Sequence, residues 1–473
     1  MLPIVMILPM RREYNGGDRM SDLVTVILAA GKGTRMKSKL PKVLHKVGGK
    51  PMLEHVLDAA DEAGAERNIV VTGFGGDMVR EAIGSRAEFV EQTEQLGTGH
   101  AVQQAEPLLN EETGTVMVLC GDTPLLTGAL LKKFVEAHKE TGASATVLTA
   151  IMPDATGYGR IVRTPAGTVE RIVEHKDATD EERKIHEVNS GIYCFEAADL
   201  FQALSQVTND NAQGEYYLPD VLGILRDEGR KIWAVAADDY EETLGVNSRV
   251  QLAQAEKILR TRKNRELMES GVTIMDPDTT YIDSDVEVGM DTVIYPNTWL
   301  EHGTKIGECC EIGPSARFQN VKCGNNVTGQ FVYAHDCEIE DGVILGQFTH
   351  IRPNTHLSKK VKIGNFIEVK NSNIGEGTKL PHLSYIGDCD MGSGVNMGCG
   401  TITVNYDGKK KYRTKVGDDA FIGCNSNLVA PVEICDNAYI GAGSTITQKV
   451  PEGELAIARA RQKNIPHWHD KRK

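Results

Sequence analysis

Residues 281–318 read YIDSDVEVGMDTVIYPNTWLEHGTKIGECCEIGPSARF, and an apolar side chain returns at every sixth position: Ile282, Val288, Ile294, Leu300, Ile306, Ile312 and Phe318. A second register runs Val321, Val327, Tyr333, Ile339, Leu345, Ile351, Leu357, Ile363 and Val369, and a third runs Val416, Ile422, Leu428, Ile434, Ile440 and Ile446. Glycine follows many of these positions, as in Val288-Gly289, Ile363-Gly364 and Ile440-Gly441. A six-residue period is the repeat of a parallel β-helix, in which each apolar residue fills a narrow prism-shaped core. A β-sandwich would alternate with period two and carry hairpin turns instead. One stretch, VNYDGKKKYRTK at 404–415, leaves the repeat. Insertions in solenoids become loops on one face, often the binding face; taken alone, the Lys and Arg cluster in this one reads as a solvated loop.

Upstream of the repeat, Ser248-x-x-Gln251 is a capping box and Gly271 stands where a C-terminal glycine would stop a helix. About 22 residues at ~1.5 Å rise predict a rod of roughly 33 Å. Its face is modestly apolar (Leu252, Ala255, Leu259) and otherwise charged, which predicts a spacer between domains. From Leu23 to about Gly245 the pattern differs again. Val24–Ala29, Asn68–Thr72, Thr115–Leu119 and Ala145–Ala150 are short runs rich in Val, Leu and Ile, with helical periods between them such as Met52–Gly64 and Gly99–Asn110. Strands alternating with helices predict a doubly wound, mostly parallel α/β sheet, which binds ligands beyond the carboxyl ends of its strands.

The 473-residue chain is long enough for several cores. Its net charge of −14 disfavours nucleic acid and anionic membrane as partners. No apolar run reaches the ~20 residues of a transmembrane helix. The ten cysteines show no zinc spacing and read as reduced thiols of a cytoplasmic protein. Residues 1–19 are apolar, then polar, without a basic n-region or cleavage site. They read as an extension, expected to be disordered and dispensable, ahead of a natural start at Met20.

Several motifs carry chemistry. Ile27-Leu-Ala-Ala-Gly-Lys-Gly-Thr-Arg35-Met closes the first strand with a glycine turn, and Pro41-Lys42 follows. Such a turn lets backbone N–H groups approach phosphate, and Arg35 and Lys42 could neutralise a leaving pyrophosphate. Asp122, in Leu119-Cys-Gly-Asp-Thr-Pro124, suits a Mg²⁺ bridging phosphates. Gln95-Leu-Gly-Thr-Gly-His-Ala101 opens a helix fit for a base or ribose contact. In the repeat, His382 lies two residues past a core position, and an imidazole there could take a proton from an attacking amine. Singly, each of these has a bland reading as turn chemistry, a solvated turn acid or an inert surface histidine.

Together the LAAGKGTRM, PK, QLGTGHA, GD, GYGRI, VEHKDA and GVN elements resemble sugar-1-phosphate nucleotidyltransferases. With the appended repeat, the chain after residue 20 resembles the bacterial bifunctional N-acetylglucosamine-1-phosphate uridyltransferase/glucosamine-1-phosphate acetyltransferase family. The resemblance implies a Rossmann-like α/β domain (20–247), a linker helix (248–271), a left-handed parallel β-helix (272–450) and a basic tail (451–473). It implies that Leu28, Ala29, Ala30 and Gly31 hold the nucleotide, with Lys42 near its phosphates. Gln92, Gly97 and Thr98 would read uracil, Gly159, Glu174 and Asn189 would bind N-acetylglucosamine, and Asp122 and Asn247 would ligate Mg²⁺. In the second half His382, in an H-x-x-Y pattern, would be the catalytic base. Arg352, Lys370, Tyr385 and Asn396 would bind glucosamine-1-phosphate. Cys399, Asn405, Tyr406, Cys424, Ala442 and Arg459 would contact acetyl-CoA in a homotrimer. Cys120, Cys399 and Cys424 depart from the residues many relatives carry. The implied route runs from glucosamine-1-phosphate, acetyl-CoA and UTP to UDP-N-acetylglucosamine, a precursor for peptidoglycan and other envelope polymers. Two other readings are a single-activity nucleotidyltransferase whose β-helix only oligomerises or senses effectors, and a non-catalytic scaffold. Arg35, Lys42, Asp122 and Asn247 weigh against the second, and Arg352, Lys370, His382, Tyr385 and Asn405 against the first.

Overall fold

The computed structural model describes residues 23–109, 114–165, 167–211 and 213–472. The expected extension 1–19, the start at Met20 and the Asn110 end of one expected helical stretch lie outside them. The chain forms two compact units: residues 51–255 with the stretch up to Val47, and residues 256–473 with Gly48–Lys50.

In the first unit the order is β1 (Leu23–Ala29), β2 (Lys46–Val47), β3 (Lys50–Pro51), α1 (Met52–Glu62), β4 (Arg67–Thr72), α2 (Gly76–Ile83), β5 (Glu88–Glu91), α3 (Thr98–Gln103), β6 (Thr115–Cys120), α4 (Gly128–Thr141), β7 (Ala145–Ile151), β8 (Arg160–Arg163), β9 (Val169–Val173), β10 (Glu187–Glu196), α5 (Ala197–Leu204), α6 (Asp220–Asp227) and β11 (Ile232–Ala236). The main sheet runs β11-β7-β10-β6-β1-β4-β5, with β8 and β9 extending from β10. Only β10 runs against its neighbours β6 and β7 on this path; the other pairs are parallel. The apolar runs are continuous because both faces of the sheet are covered. Val24, Val26, Val116 and Val118 join one core with α3, α5 and α6, while Leu23, Ile27, Met117 and Leu119 join the other with α1 and α4.

The last helix, α7, spans Arg249–Glu269. Ser248 accepts from the Gln251 N–H at 3.2 Å, as a capping box requires, and the Gln251 side chain accepts from the Asn247 N–H at 2.8 Å and from the Ser248 hydroxyl at 3.4 Å. At the far end Gly271 takes φ +99° and Val272 N–H bonds back to Leu267 at 3.0 Å. The helix is more than the expected spacer, for the two units divide inside it, between Ala255 and Glu256. Ala255 is buried, Leu267 joins the core of the second unit, and Asn264 donates there to the carbonyls of Pro277 and Thr280. No helix among the described residues is long and apolar enough to cross a membrane.

The second unit is a coil of 26 short parallel strands. Ile294 pairs with Ile312 and Leu300 with Phe318, so three hexads complete one turn. Each strand sends two side chains inward: a small one such as Thr292, Thr298, Thr304 or Ala316, and a large one two residues on. The first and third registers face the core as expected, Val288 being only partly buried. The second needs correction. Val321 and Val327 occupy the small inward positions, and the large ones pass to Cys323, Gly329, Ala334 and Ile339. Tyr333 therefore points outward between the buried Val332 and Ala334. The cause is a five-residue step at some corners, as from Phe318 to Cys323 and from Ala334 to Ile339, which shifts the hexad by one. From Ile339 to Val369 the hexad faces inward again.

Candidate functional site

The carboxyl edge of the sheet gathers the first set of expected residues. After β1 the chain turns through Ala30 and Gly31 into a single 3₁₀ turn at Thr34–Met36. Gly33 takes φ +57°, and a Cβ there would stand 2.7 Å from Cβ of Lys42, so the turn needs glycine to let Lys42 pass. Gly121, beyond β6, donates to Leu28 at 3.0 Å, which sets Asp122 beside the turn. Lys42 Nζ ion-pairs with the Asp122 carboxylate and donates to Asn247 Oδ1 at 2.9 Å. The two expected metal ligands thus aim their oxygens at one cationic point, an arrangement that fits a divalent cation. Arg35 stays exposed on the 3₁₀ turn, and Gly31 is exposed beside it.

A cavity of about 490 Å³ continues from this edge, lined by Leu28, Thr98, Cys120, Glu174, Asn189 and Tyr217 among others. Four expected contacts, Leu28, Thr98, Glu174 and Asn189, meet in it. Gly159 lies against it: a Cβ there would stand 3.3 Å from the Glu174 carboxylate. Burial, and Asp177 beside it, raise the Glu174 carboxyl above its usual range. Burial pushes the Cys120 thiol up to about 12, so it remains protonated in the cavity wall. Gln92 stands at the end of β5, its backbone N–H on Thr72 at 2.8 Å, and Gly97 and Thr98 open α3 beside it.

Sequence reasoning missed Arg249. Its guanidinium donates to the Met36 carbonyl at 3.4 Å and to His45 Nδ1 at 3.3 Å, bracketing the stretch that carries Lys42. Burial, then the Arg249 charge, lower the His45 pKa. No motif flagged this residue, because its partners are fixed only by folding.

In the coil, residues one turn apart stack in columns. Arg352 and Lys370 occupy neighbouring rungs of one outward column, since Ile351 pairs with Val369. Tyr385 stands on the next rung in the adjacent column, above Glu368, to which Arg352 donates at 2.6 Å. Gly387 lies above Lys370 in register, and a Cβ there would stand 2.4 Å from the Tyr385 hydroxyl. Lys411, from the inserted loop, crowds Lys370 and lowers its pKa, with smaller contributions from burial and Arg352. The loop whose cations alone read as solvated therefore adds a third cation to the Arg352–Lys370 pair, which suits a phosphate.

His382 is exposed at the corner after Leu380, which is fully buried. Cys399, Cys424 and Ala442 take the equivalent corner position on the next three turns, with Cys399 linked to Asn425 N–H at 2.7 Å and Cys424 to Gly443 N–H at 2.7 Å. Arg459 reaches the end of this column, its Cδ 3.9 Å from a Cβ built on Gly443. Four expected acetyl-CoA contacts thus run in line from the expected base. The other two do not join them. Asn405 is 8% exposed and donates to Asp388 and, at 3.4 Å, to the Tyr385 hydroxyl, so its side chain sits with Tyr385 rather than on the corner column. Tyr406 is exposed on the inserted loop. Asn396 pairs with Lys379 and Phe421 on the face before the His382 corner, whereas Tyr385 lies on the face after it. The structure does not bring Asn396 and Tyr385 together within one chain.

Residues 25–216 match the MobA-like NTP transferase domain, and residues 413–448 match the bacterial transferase hexapeptide (six repeats). Over nearly its whole length the chain is similar to three proteins named bifunctional protein GlmU. That of a Geobacillus species is 54% identical over 446 residues, covering 94% of this chain and 97% of the relative. That of Halalkalibacterium halodurans is 54% identical over 453 residues, covering 96% and 100%. That of Caldanaerobacter subterraneus subsp. tengcongensis is 55% identical over 453 residues, covering 96% and 99%. With a nucleotidyltransferase sheet and a hexapeptide acyltransferase coil in one chain, both matched along their length, the protein belongs to the bifunctional GlmU family.

Proposed function

We propose that the chain makes UDP-N-acetylglucosamine in two steps, acetylating glucosamine-1-phosphate and then transferring a uridylyl group to the product, through the residues assembled above. The coil is the glucosamine-1-phosphate N-acetyltransferase and the sheet unit the uridyltransferase. In the first step Arg352, Lys370 and Lys411 hold the sugar phosphate and Tyr385 the sugar. His382 takes a proton as the 2-amino nitrogen attacks the thioester carbonyl of acetyl-CoA. The C–S bond breaks and coenzyme A leaves as the thiol. The corner column from Cys399 to Ala442, with Arg459, guides the cofactor's tail. In the second step an oxygen of N-acetylglucosamine-1-phosphate attacks the α-phosphorus of UTP in line and pyrophosphate leaves. Arg35 and Lys42 neutralise the departing charge, while Glu174 and Asn189 hold the sugar.

Asp122 and Asn247 would hold a Mg²⁺, which when bound neutralises phosphate charge. Lys42, which now bridges those two oxygens, is then free to turn toward the phosphates. The observation that carries this reading is the convergence of Lys42, Asp122 and Asn247, far apart in sequence, on one point. The acetyl site is shared in a homotrimer: a convex corner encloses nothing, and Asn396 reaches the sugar only from a neighbouring chain. Substrates such as UTP and acetyl-CoA place the enzyme in the cytoplasm, and its product supplies peptidoglycan and other envelope precursors. Incubating the protein with glucosamine-1-phosphate, acetyl-CoA, UTP and Mg²⁺, omitting one at a time, tests the reading. UDP-N-acetylglucosamine should form only when all four are present. Uridyl transfer without any coenzyme A release would favour a single-activity nucleotidyltransferase.

A further inference from the structure

We propose that His100 is a positioning residue that sets the nucleobase preference of the uridyltransferase half, by holding the Gln92 carboxamide with its oxygen turned toward the base. The inference rests on the reading of Gln92 as a base contact and goes one residue further back.

Gln92 is 3% exposed, at the carboxyl end of an outer strand of the sheet. Its Nε2 donates to the Gly97 carbonyl at 3.0 Å and meets His100 Nδ1 at 3.1 Å. Both amide hydrogens are therefore engaged inside the protein, and among the described residues nothing donates to Oε1. A carboxamide nitrogen has no lone pair to offer, so His100 Nδ1 must be the acceptor and the ring proton must sit on Nε2. Turning the amide over would set Oε1 against the Gly97 oxygen and, with the ring proton on Nε2, against the Nδ1 lone pair as well. Gln104 fixes the histidine's own backbone, donating to its carbonyl at 3.0 Å, and Tyr216 lies beside the ring with centroids 6.4 Å apart.

The free atom of this network is thus an acceptor. Uracil presents a donor at N3–H, whereas N3 of cytosine is an unprotonated acceptor whose lone pair would face Oε1. A site built to pair with a substrate N–H discriminates strongly against an analogue lacking it, because its own buried polar group is left unpaired. Gln92 makes that choice only while its amide cannot flip, and His100 supplies half of the restraint.

The test compares kcat/KM for UTP and for CTP, with N-acetylglucosamine-1-phosphate as acceptor, in the full chain. His100→Phe keeps the ring beside Tyr216 but removes the acceptor, and the UTP-to-CTP ratio should fall about tenfold. His100→Asn puts a carboxamide oxygen near the Nδ1 position and should restore the ratio. Gln92→Ala should collapse it. Retained uridyl transfer from UTP by each variant reports that the sheet unit is folded, and the ratio itself does not depend on the amount of active enzyme. If Gln92→Ala collapses the ratio and His100→Phe leaves it intact, the role of His100 is refuted while the base contact stands. An unchanged ratio in Gln92→Ala would overturn the base contact itself. Should His100→Phe not fold, ¹⁵N shifts of the wild-type histidines, assigned by difference with His100→Asn, decide instead. A neutral ring protonated at Nε2 supports the inference, and one protonated at Nδ1 overturns it.

Discussion

The sheet unit and the coil unit solve the placement of functional groups in opposite ways. In the sheet unit, Asp122 beyond β6 and Asn247 just ahead of α7, 80 and 205 residues from Lys42, meet on its ammonium. In the coil, residues one turn apart stack in straight columns, as Arg352 does below Lys370 and His382 below Cys399. A twisted sheet with helices on both faces makes a concave crevice where strands end. In the coil, Arg352, Lys370 and His382 stand on outward columns, and no one turn of the chain wraps around them. On the proposed reading the sheet site is complete in one chain, whereas the coil site is completed by a neighbouring chain.

His382→Ala should break the coil side of this comparison most sharply. Loss of a general base costs roughly 10²- to 10⁴-fold. Coenzyme A release should fall by that much while uridyl transfer to supplied N-acetylglucosamine-1-phosphate continues, and release at the wild-type rate would assign the proton to another base. Asp122→Asn is the mirror experiment. Removing one charge from the cluster should lower pyrophosphate release on the order of 10²- to 10³-fold, the scale of a lost transition-state contact. Acetyl transfer should stay near wild type.

Dilution sharpens the claim that only one site is shared. As light scattering reports dissociation into single chains, acetyl transfer per chain should drop, about tenfold or more where a neighbouring wall leaves the site. Uridyl transfer per chain should not change. A monomer that still acetylates at full rate would show that one convex corner suffices. Gly387→Ala probes the columns themselves. Its Cβ would press on the Tyr385 hydroxyl, so KM for glucosamine-1-phosphate should rise by about tenfold, with the sheet activity untouched.

The smallest effect concerns register. Phe318 is fully buried, and Phe318→Ala should cost about 3–5 kcal/mol in denaturant unfolding. Tyr333 stands outward, stacked with His335 and His350 at 4.9 Å, so Tyr333→Ala should cost only ~1 kcal/mol. Equal losses would restore Tyr333 to the core.

Local spacing explains which parts of this were legible in advance. The hexad from Ile282 to Phe318 and that from Val416 to Ile446 could be read directly, because each inward residue repeats at a fixed interval in the chain. Tyr333 was misplaced because a five-residue corner changes the count without changing the residue types. The apolar runs of β1, β4, β6 and β7 were visible, but β10, the antiparallel member between β6 and β7, gave no comparable run: its Asn189-Ser190-Gly191 bulge interrupts it. Among site residues, Lys42, Asp122 and His382 sit in motifs of their own. Lys411 belongs to the insertion that leaves the repeat, but its neighbour Lys370 is far away in the chain; Arg249 likewise meets Met36 and His45 only on folding, and no motif marks it.

Sequence alone determined the two architectures and the helix that follows the first, and it named most of the candidate groups. Periodicity and turn residues are local properties, and burial follows them wherever the period is unbroken. Only the tertiary structure decided which of those groups meet. Lys42 bridges two expected metal ligands, Asn405 turns inward to Asp388 and Tyr385, and Asn396 and Tyr385 fall on faces either side of one corner. Each of these depends on distances between residues remote in the chain, which no spacing along it encodes.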